Sequence, residues 1–155
     1  MGDRLEILRS TIDSLILEHE PENSKHFFIH IYAVSKFCSL LALIRGLNPE
    51  LASSCGMLHD IYQVTDGVIE GHGEKGAVVA KNILTQIGLY TDEEIDIITN
   101  AIIYHGKKRK THKPYDEVLK DADVLSHCLY NTDYTVIDKE IERYGKLLAE
   151  FGVKR

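Results

Sequence analysis

Apolar residues recur every three or four positions along almost the whole chain, the period of helices with one buried face. Leu5, Leu8, Ile12, Leu15 and Ile16 mark such a stripe between residues 3 and 19, and Pro21 ends it. The stripe Val34, Phe37 and Leu41 predicts a second helix, from Ser24 as its N-cap to Arg45, with Gly46 as the stop. Asn48-Pro49 opens a third, a cap followed by proline in the first turn. That helix carries Leu51, Cys55 and Leu58 inward and ends at His59-Asp60. Residues 62–73 hold three glycines and read as a loop. A fourth helix follows, from Glu74 to Ile87, with Gly88 as its cap. Thr91 and Glu94 form a capping box for a fifth, whose stripe is Ile95, Ile98 and Ile102. Pro114 opens a sixth, with Val118, Ala122, Leu125 and Leu129 inward. A last helix over residues 135–151 turns Ile137, Ile141, Tyr144 and Leu148 to the core. Nothing alternates with the period of a strand. The pattern predicts an all-α protein, one compact domain over residues 1–155 built of about six to seven helices.

Polar groups break into these stripes at their ends. His30 sits one turn before Val34, and His105 is the next member of the stripe after Ile102. His59-Asp60 closes the third helix, His72 precedes the fourth, and Asp123 flanks the stripe of the sixth. Imidazoles and carboxylates are costly to bury unless paired or bound to a metal. They are also the ligands of first-row divalent ions. Each has a plain explanation alone: His30 as a hydrogen-bonded core residue, His72 as a loop residue, His105 as a cation at a helix C-terminus. Several helices each presenting one predict a shared site. Asp121 competes with Asp123, and His26 competes with His30. His19, His112 and His127 read as solvent or loop residues. Gly56, three residues before His59, leaves room for another helix or a ligand to come close.

The net charge of −6, from 18 Lys and Arg against 24 Asp and Glu, disfavours a protein that coats nucleic acid. One segment runs against this balance, the basic Lys107-Lys-Arg-Lys-Thr-His-Lys113, which reads either as a site for an anionic ligand or as a solvated loop. Three distant cysteines in apolar stretches read as buried thiols. The first residues read as charged helix rather than a secretory signal. The longest apolar runs, such as Phe37–Ile44, fall short of a bilayer span. The expected location is the cytoplasm, with neither membrane nor stable nucleic-acid partner.

Five ordered stretches resemble the motifs of the HD superfamily of metal-dependent phosphohydrolases. They are His30-Ile-Tyr-Ala-Val34, Gly56-Met-Leu-His59-Asp60-Ile61, Gly71-His72-Gly-Glu74-Lys-Gly-Ala77, Ala101-Ile-Ile-Tyr-His105 and Lys120-Asp121-Ala-Asp123-Val-Leu125. They span residues 26–130, leaving helices 3–19 and 135–151 as flanks. The resemblance implies that His30, His59, Asp60 and Asp123 hold one metal. His72 and His105 would bind a second metal or contact the substrate phosphate. It implies one or two ions of Mn, Fe, Co, Ni or Zn and a small phosphorylated substrate, a nucleotide above all. Hydrolysis of a phosphomonoester or phosphodiester would follow, with Asp60, His72 and His105 as catalytic residues and Lys75, Lys107, Lys108 and Arg109 neutralising phosphate. The doublet continues as Ile61-Tyr62-Gln63 where the family often has Ile-Gly-Lys, and the Gly-Tyr-Pro signature of its cyclic-dinucleotide branch is absent. Two other readings fit the resemblance: a di-iron oxygenase of the same fold, and a noncatalytic nucleotide sensor.

Overall fold

Most local signals are met in order along the chain, but Asn23 rather than Ser24 is the N-cap of the second helix, and its side chain makes no cap hydrogen bond. The computed structural model describes residues 3–154, and all regular structure among them is helical. Asp3 accepts hydrogen bonds from the Leu5 and Glu6 amides and starts α1 (Arg4–His19), which buries Leu8, Ile12 and Ile16. The second helix, α2 (Ser24–Ile44), buries Ile31, Val34, Cys38, Leu41 and Ala42. Asn48 caps α3 (Pro49–Leu58) through the Glu50 and Leu51 amides, and every residue of α3 from Leu51 onward is buried. This all-round burial makes α3 the central helix, against α1, α2, α6 and α7.

The expected loop contains a further helix, α4 (Ile61–Asp66), which buries Ile61 and Val64 and ends at Gly67. Next come α5 (His72–Ile87) and α6 (Asp92–Tyr104), the latter with the Thr91–Glu94 capping box in place. His72 is thus the first residue of its helix rather than the residue before it. Then follow α7 (Pro114–Tyr130) and α8 (Ile141–Glu150), joined through a 3-10 turn at Asp138–Glu140. The last helix therefore starts six residues later than its sequence pattern indicated. Ile137 and Ile141 are exposed, and the inward residues of α8 are Tyr144 and Leu147. Leu129, in the last turn of α7, is exposed as well. With α4 the bundle has eight α-helices among the described residues.

Two backbone approaches set the site. A Cβ on Gly56 would stand 2.7 Å from the Ser35 Cα, so α2 and α3 touch backbone to backbone. Ser35 Oγ and Ser53 Oγ, 2.7 Å apart, tie the same crossing. A Cβ on Gly73 would meet the Ile103 carbonyl oxygen at 2.9 Å, so the start of α5 lies directly on the end of α6. The first approach brings His30 to His59 and the second brings His72 to His105. By length and composition α2 is apolar enough to cross a membrane, more than its uninterrupted apolar run indicated. In the bundle it packs chiefly on α3 and α7.

Candidate metal centre

Helix ends point the polar groups inward. His59 and His105 are the C-cap residues of α3 and α6. His72 opens α5, His30 comes from the first half of α2, and Asp123 from the middle of α7. The Nε2 atoms of His30 and His59 are 3.1 Å apart, and those of His72 and His105 are 3.0 Å apart. Asp60 lies between the pairs. Its Oδ2 is 3.2 Å from His59 Nε2 and 3.5 Å from His30 Nε2. Its Oδ1 is 3.5 Å from His105 Nε2 and 3.8 Å from His72 Nε2. Asp123 Oδ1 closes the first group, 3.2 Å from His30 Nε2 and 3.7 Å from His59 Nε2.

The other ring nitrogens decide what these contacts mean. His59 Nδ1 donates to the Gly56 carbonyl at 2.7 Å, His72 Nδ1 to Ile69 at 2.7 Å, and His105 Nδ1 to Ile102 at 2.6 Å. A carbonyl only accepts, so these bonds place a proton on Nδ1 and leave the Nε2 lone pair of a neutral ring facing the centre. In the His72–His105 pair two such lone pairs face each other at 3.0 Å and repel; a cation between them would turn the repulsion into ligation. Asp123 Oδ1 is buried and receives no hydrogen bond, a second deficit a cation would fill. His30, His59 and Asp60 form one group whose ligand atoms lie within 4.8 Å of each other, and Asp60, His72 and His105 form another. The residues present thus fit one or two divalent ions, with Asp60 common to both groups.

Charge within the cluster is strongly coupled. Burial alone would lower the His30 pKa, but the Asp123 and Asp60 carboxylates outweigh it and push it up to about 9. Burial would raise both carboxyls, yet His59, His105 and His30 hold Asp60 well below the usual carboxylate range. Lys108 and His30 do the same for Asp123. Burial keeps His105 below its ordinary value.

The competitors separate cleanly. Asp121 faces away from the centre, paired with Arg45 at 2.7 Å and Arg143 at 2.8 Å. His26 stays one turn outside, its ring stacked at 6.4 Å on His30. The basic segment is not the set of free cations its sequence indicated. Lys108 is buried and donates to Asp123 Oδ2 at 2.5 Å and to the His105 carbonyl at 2.6 Å. Arg109 pairs with Asp138 at the surface. Lys107 and Lys75 are exposed, over the rings of Tyr104 and Tyr62.

Two residues at the centre escaped the sequence reading. Gln63, where the doublet departs from its usual continuation, donates to Asp60 Oδ1 at 2.9 Å. His127, expected in solvent, lies 3.4 Å from Asp123 Oδ1, and its ring is stacked on that of His30 at 5.0 Å. Its Nδ1 meets the buried Glu140 at 2.9 Å. The spacing of four from Asp123 was the available signal. The partner that fixes it, Glu140, comes from the turn before α8, which no local pattern connects to α7.

A family model described as the HD domain matches residues 27–127. Among curated proteins, Ribonuclease Y of Clostridium tetani is 28% identical over 132 residues, covering 84% of this chain and 24% of that protein. Ribonuclease Y of Petrotoga mobilis is 31% identical over 118 residues, covering 76% of this chain and 21% of that protein. The chain therefore spans about a quarter of the length of these relatives. No solved structure matches.

Proposed function

This chain belongs to the HD-domain family, and on that premise we propose that it is a metal-dependent phosphohydrolase acting on a nucleotide or another small phosphate ester. The observation that carries the reading is the Asp60 carboxylate set between two histidine pairs, one oxygen toward each. Relatives named as ribonucleases, which cleave phosphoester bonds between nucleotides, support a nucleotide as substrate. Mixed nitrogen and oxygen ligation suits Mn, Fe, Co, Ni or Zn.

In this reading His30, His59, Asp60 and Asp123 hold one ion, and His72 and His105 with Asp60 hold a second or meet the substrate. A bound divalent ion lowers the pKa of a water and polarises a phosphoryl oxygen. Asp60 would hold the ion and orient that water, and Gln63 donates to Asp60 Oδ1. Lys108 fixes Asp123 Oδ2, leaving Oδ1 to face the centre. The exposed cations Lys75 and Lys107 are assigned to neutralising phosphate oxygens.

The test joins metal analysis to phosphate release from nucleotides and simple esters, with and without oxygen. Asp60→Ala is expected to lower turnover by at least about a hundredfold while circular dichroism keeps its helical signal. Turnover that needs oxygen would instead identify a di-iron oxygenase, for which the same six ligands suffice. Nucleotide binding without turnover in the metal-loaded parent would identify a sensor.

A further inference from the structure

A groove of about 570 Å³ opens beside the centre, between the first half of α2 and the end of α7. Lys25, His26, Ile29, His30, His127 and Tyr130 are among its lining residues. Apart from His30, its lining residues stand outside the proposed ligand set, and its volume is that of a small-molecule site. We infer that this groove seats the planar nitrogen heterocycle of the substrate, with its phosphate at the metal centre. The inference rests on the phosphohydrolase reading for the phosphate and on the groove itself for the base.

Three observations carry it. First, the groove ends on the centre: His30 forms its inner wall while its Nε2 faces His59 and Asp123. A base held there keeps its ester within reach of the ligands. Second, its imidazoles are aligned. The His26 ring is within 12° of parallel to that of His30, and the His30 ring is within 3° of that of His127. The rings face one another with His30 in the middle, so a base can add only to the outer face of His26 or His127, both of which are exposed. Third, the wall is built rather than incidental. His30 Nδ1 meets Ser126 Oγ at 3.0 Å, and the buried Glu140 fixes His127. At the rim Tyr130 is 69% exposed and Ile29 is 45% exposed, an aromatic and an aliphatic side chain facing solvent across a cleft. Lys25 stands at the same rim and adds a cation for the polar edge of a base or a sugar-linked phosphate.

The experiment compares adenosine 5′-monophosphate with ribose 5-phosphate, the same ester with and without the base. Affinity for Mn(II)-loaded protein is read as Kd by calorimetry and, where phosphate is released, as KM. The parent should prefer the nucleotide by about tenfold, the range expected for one stacked base. Tyr130→Ala and Ile29→Asn should each cut that ratio at least about threefold, with metal content and melting temperature checking that each variant is folded. Both side chains are exposed, so neither substitution opens the core. Equal affinity for the two esters, no binding of the nucleotide, or an unchanged ratio in both variants would overturn the groove assignment. A base-dependent affinity lost in the variants but unaccompanied by hydrolysis of any ester would keep the groove and overturn the phosphohydrolase reading.

Discussion

At the residue scale the centre is organised by what each group does with its second polar atom. Three histidines spend Nδ1 on a carbonyl three residues earlier in their own chain, so a helix end alone fixes tautomer and direction. Asp123 divides its oxygens, Oδ2 to Lys108 and Oδ1 to the centre. Such partners orient ligands, and losing one typically weakens metal binding tenfold to a hundredfold. Lys108→Met, which keeps the stem and removes the ammonium, should therefore lower metal affinity by about that factor, read by competition with a fluorescent chelator. A variant that bound metal like the parent but showed a raised KM would return Lys108 to the phosphate-contacting role its place in the basic segment first indicated. Local sequence marks His30, His59, His72 and His105 but passes over His127. It gives no sign that Lys108 turns inward, because the ion pair joins residues on different elements.

At the element scale two glycines do what no apolar stripe could. The sequence marks Gly56 as a place of close approach, and the approaching partner is the α2 backbone at Ser35. Adding a methyl group there forces α2 and α3 apart. Gly56→Ala should cost about 1–3 kcal/mol, as overpacking does, and should loosen the His30–His59 pair with it. Gly145, inside α8 with open space around its Cβ position, is the control. Gly145→Ala should instead stabilise by about 0.5–1 kcal/mol through helix propensity. Denaturant unfolding of both variants checks the pair, and a Gly56→Ala protein as stable as the parent would remove the backbone contact from the account. The elements themselves were legible wherever caps and stripes coincide, as in α3 and α6. They were misjudged where packing overrides pattern. Three glycines in twelve residues hid α4, whose buried Ile61 and Val64 pack it into the bundle. The residues before α8 carry apolar side chains that the core does not use.

At the scale of the whole molecule, the centre joins α2, α3, α5, α6 and α7, so an ion held there crosslinks most of the bundle. An ion at about a thousand times its Kd adds about 4 kcal/mol to stability. For a domain of this size that raises the melting temperature by roughly 10 °C. The gain should depend on pH through His30. Its folded pKa, about 9, lies above its ordinary 6.5. Its contribution in metal-free protein is therefore complete below about 6.5 and is lost as pH rises through about 9. Asp60 and Asp123 have the opposite sign: held low, they stabilise above the ordinary carboxylate range and lose that contribution in acid. In chelator the melting temperature should fall between about pH 6.5 and 9. With metal present the fall should vanish, because the ion takes the position of the His30 proton. An equal decline in parent and His30→Gln would show that another group titrates.

The sequence by itself determined the helices with clear caps, the all-α class, and the ordered histidines and aspartates of the HD pattern. These are local properties, set by period, by capping and by residue type. Only the tertiary structure decided which aspartate faces the centre and which pairs with Arg45 and Arg143. It also decided that Lys108 is buried, and that His127 stands in the wall of a groove with Glu140 behind it. Those outcomes depend on how α7 is rotated against α2, and on where the turn before α8 lands. Packing of the whole core fixes that rotation, and no window of the sequence contains all the side chains that take part.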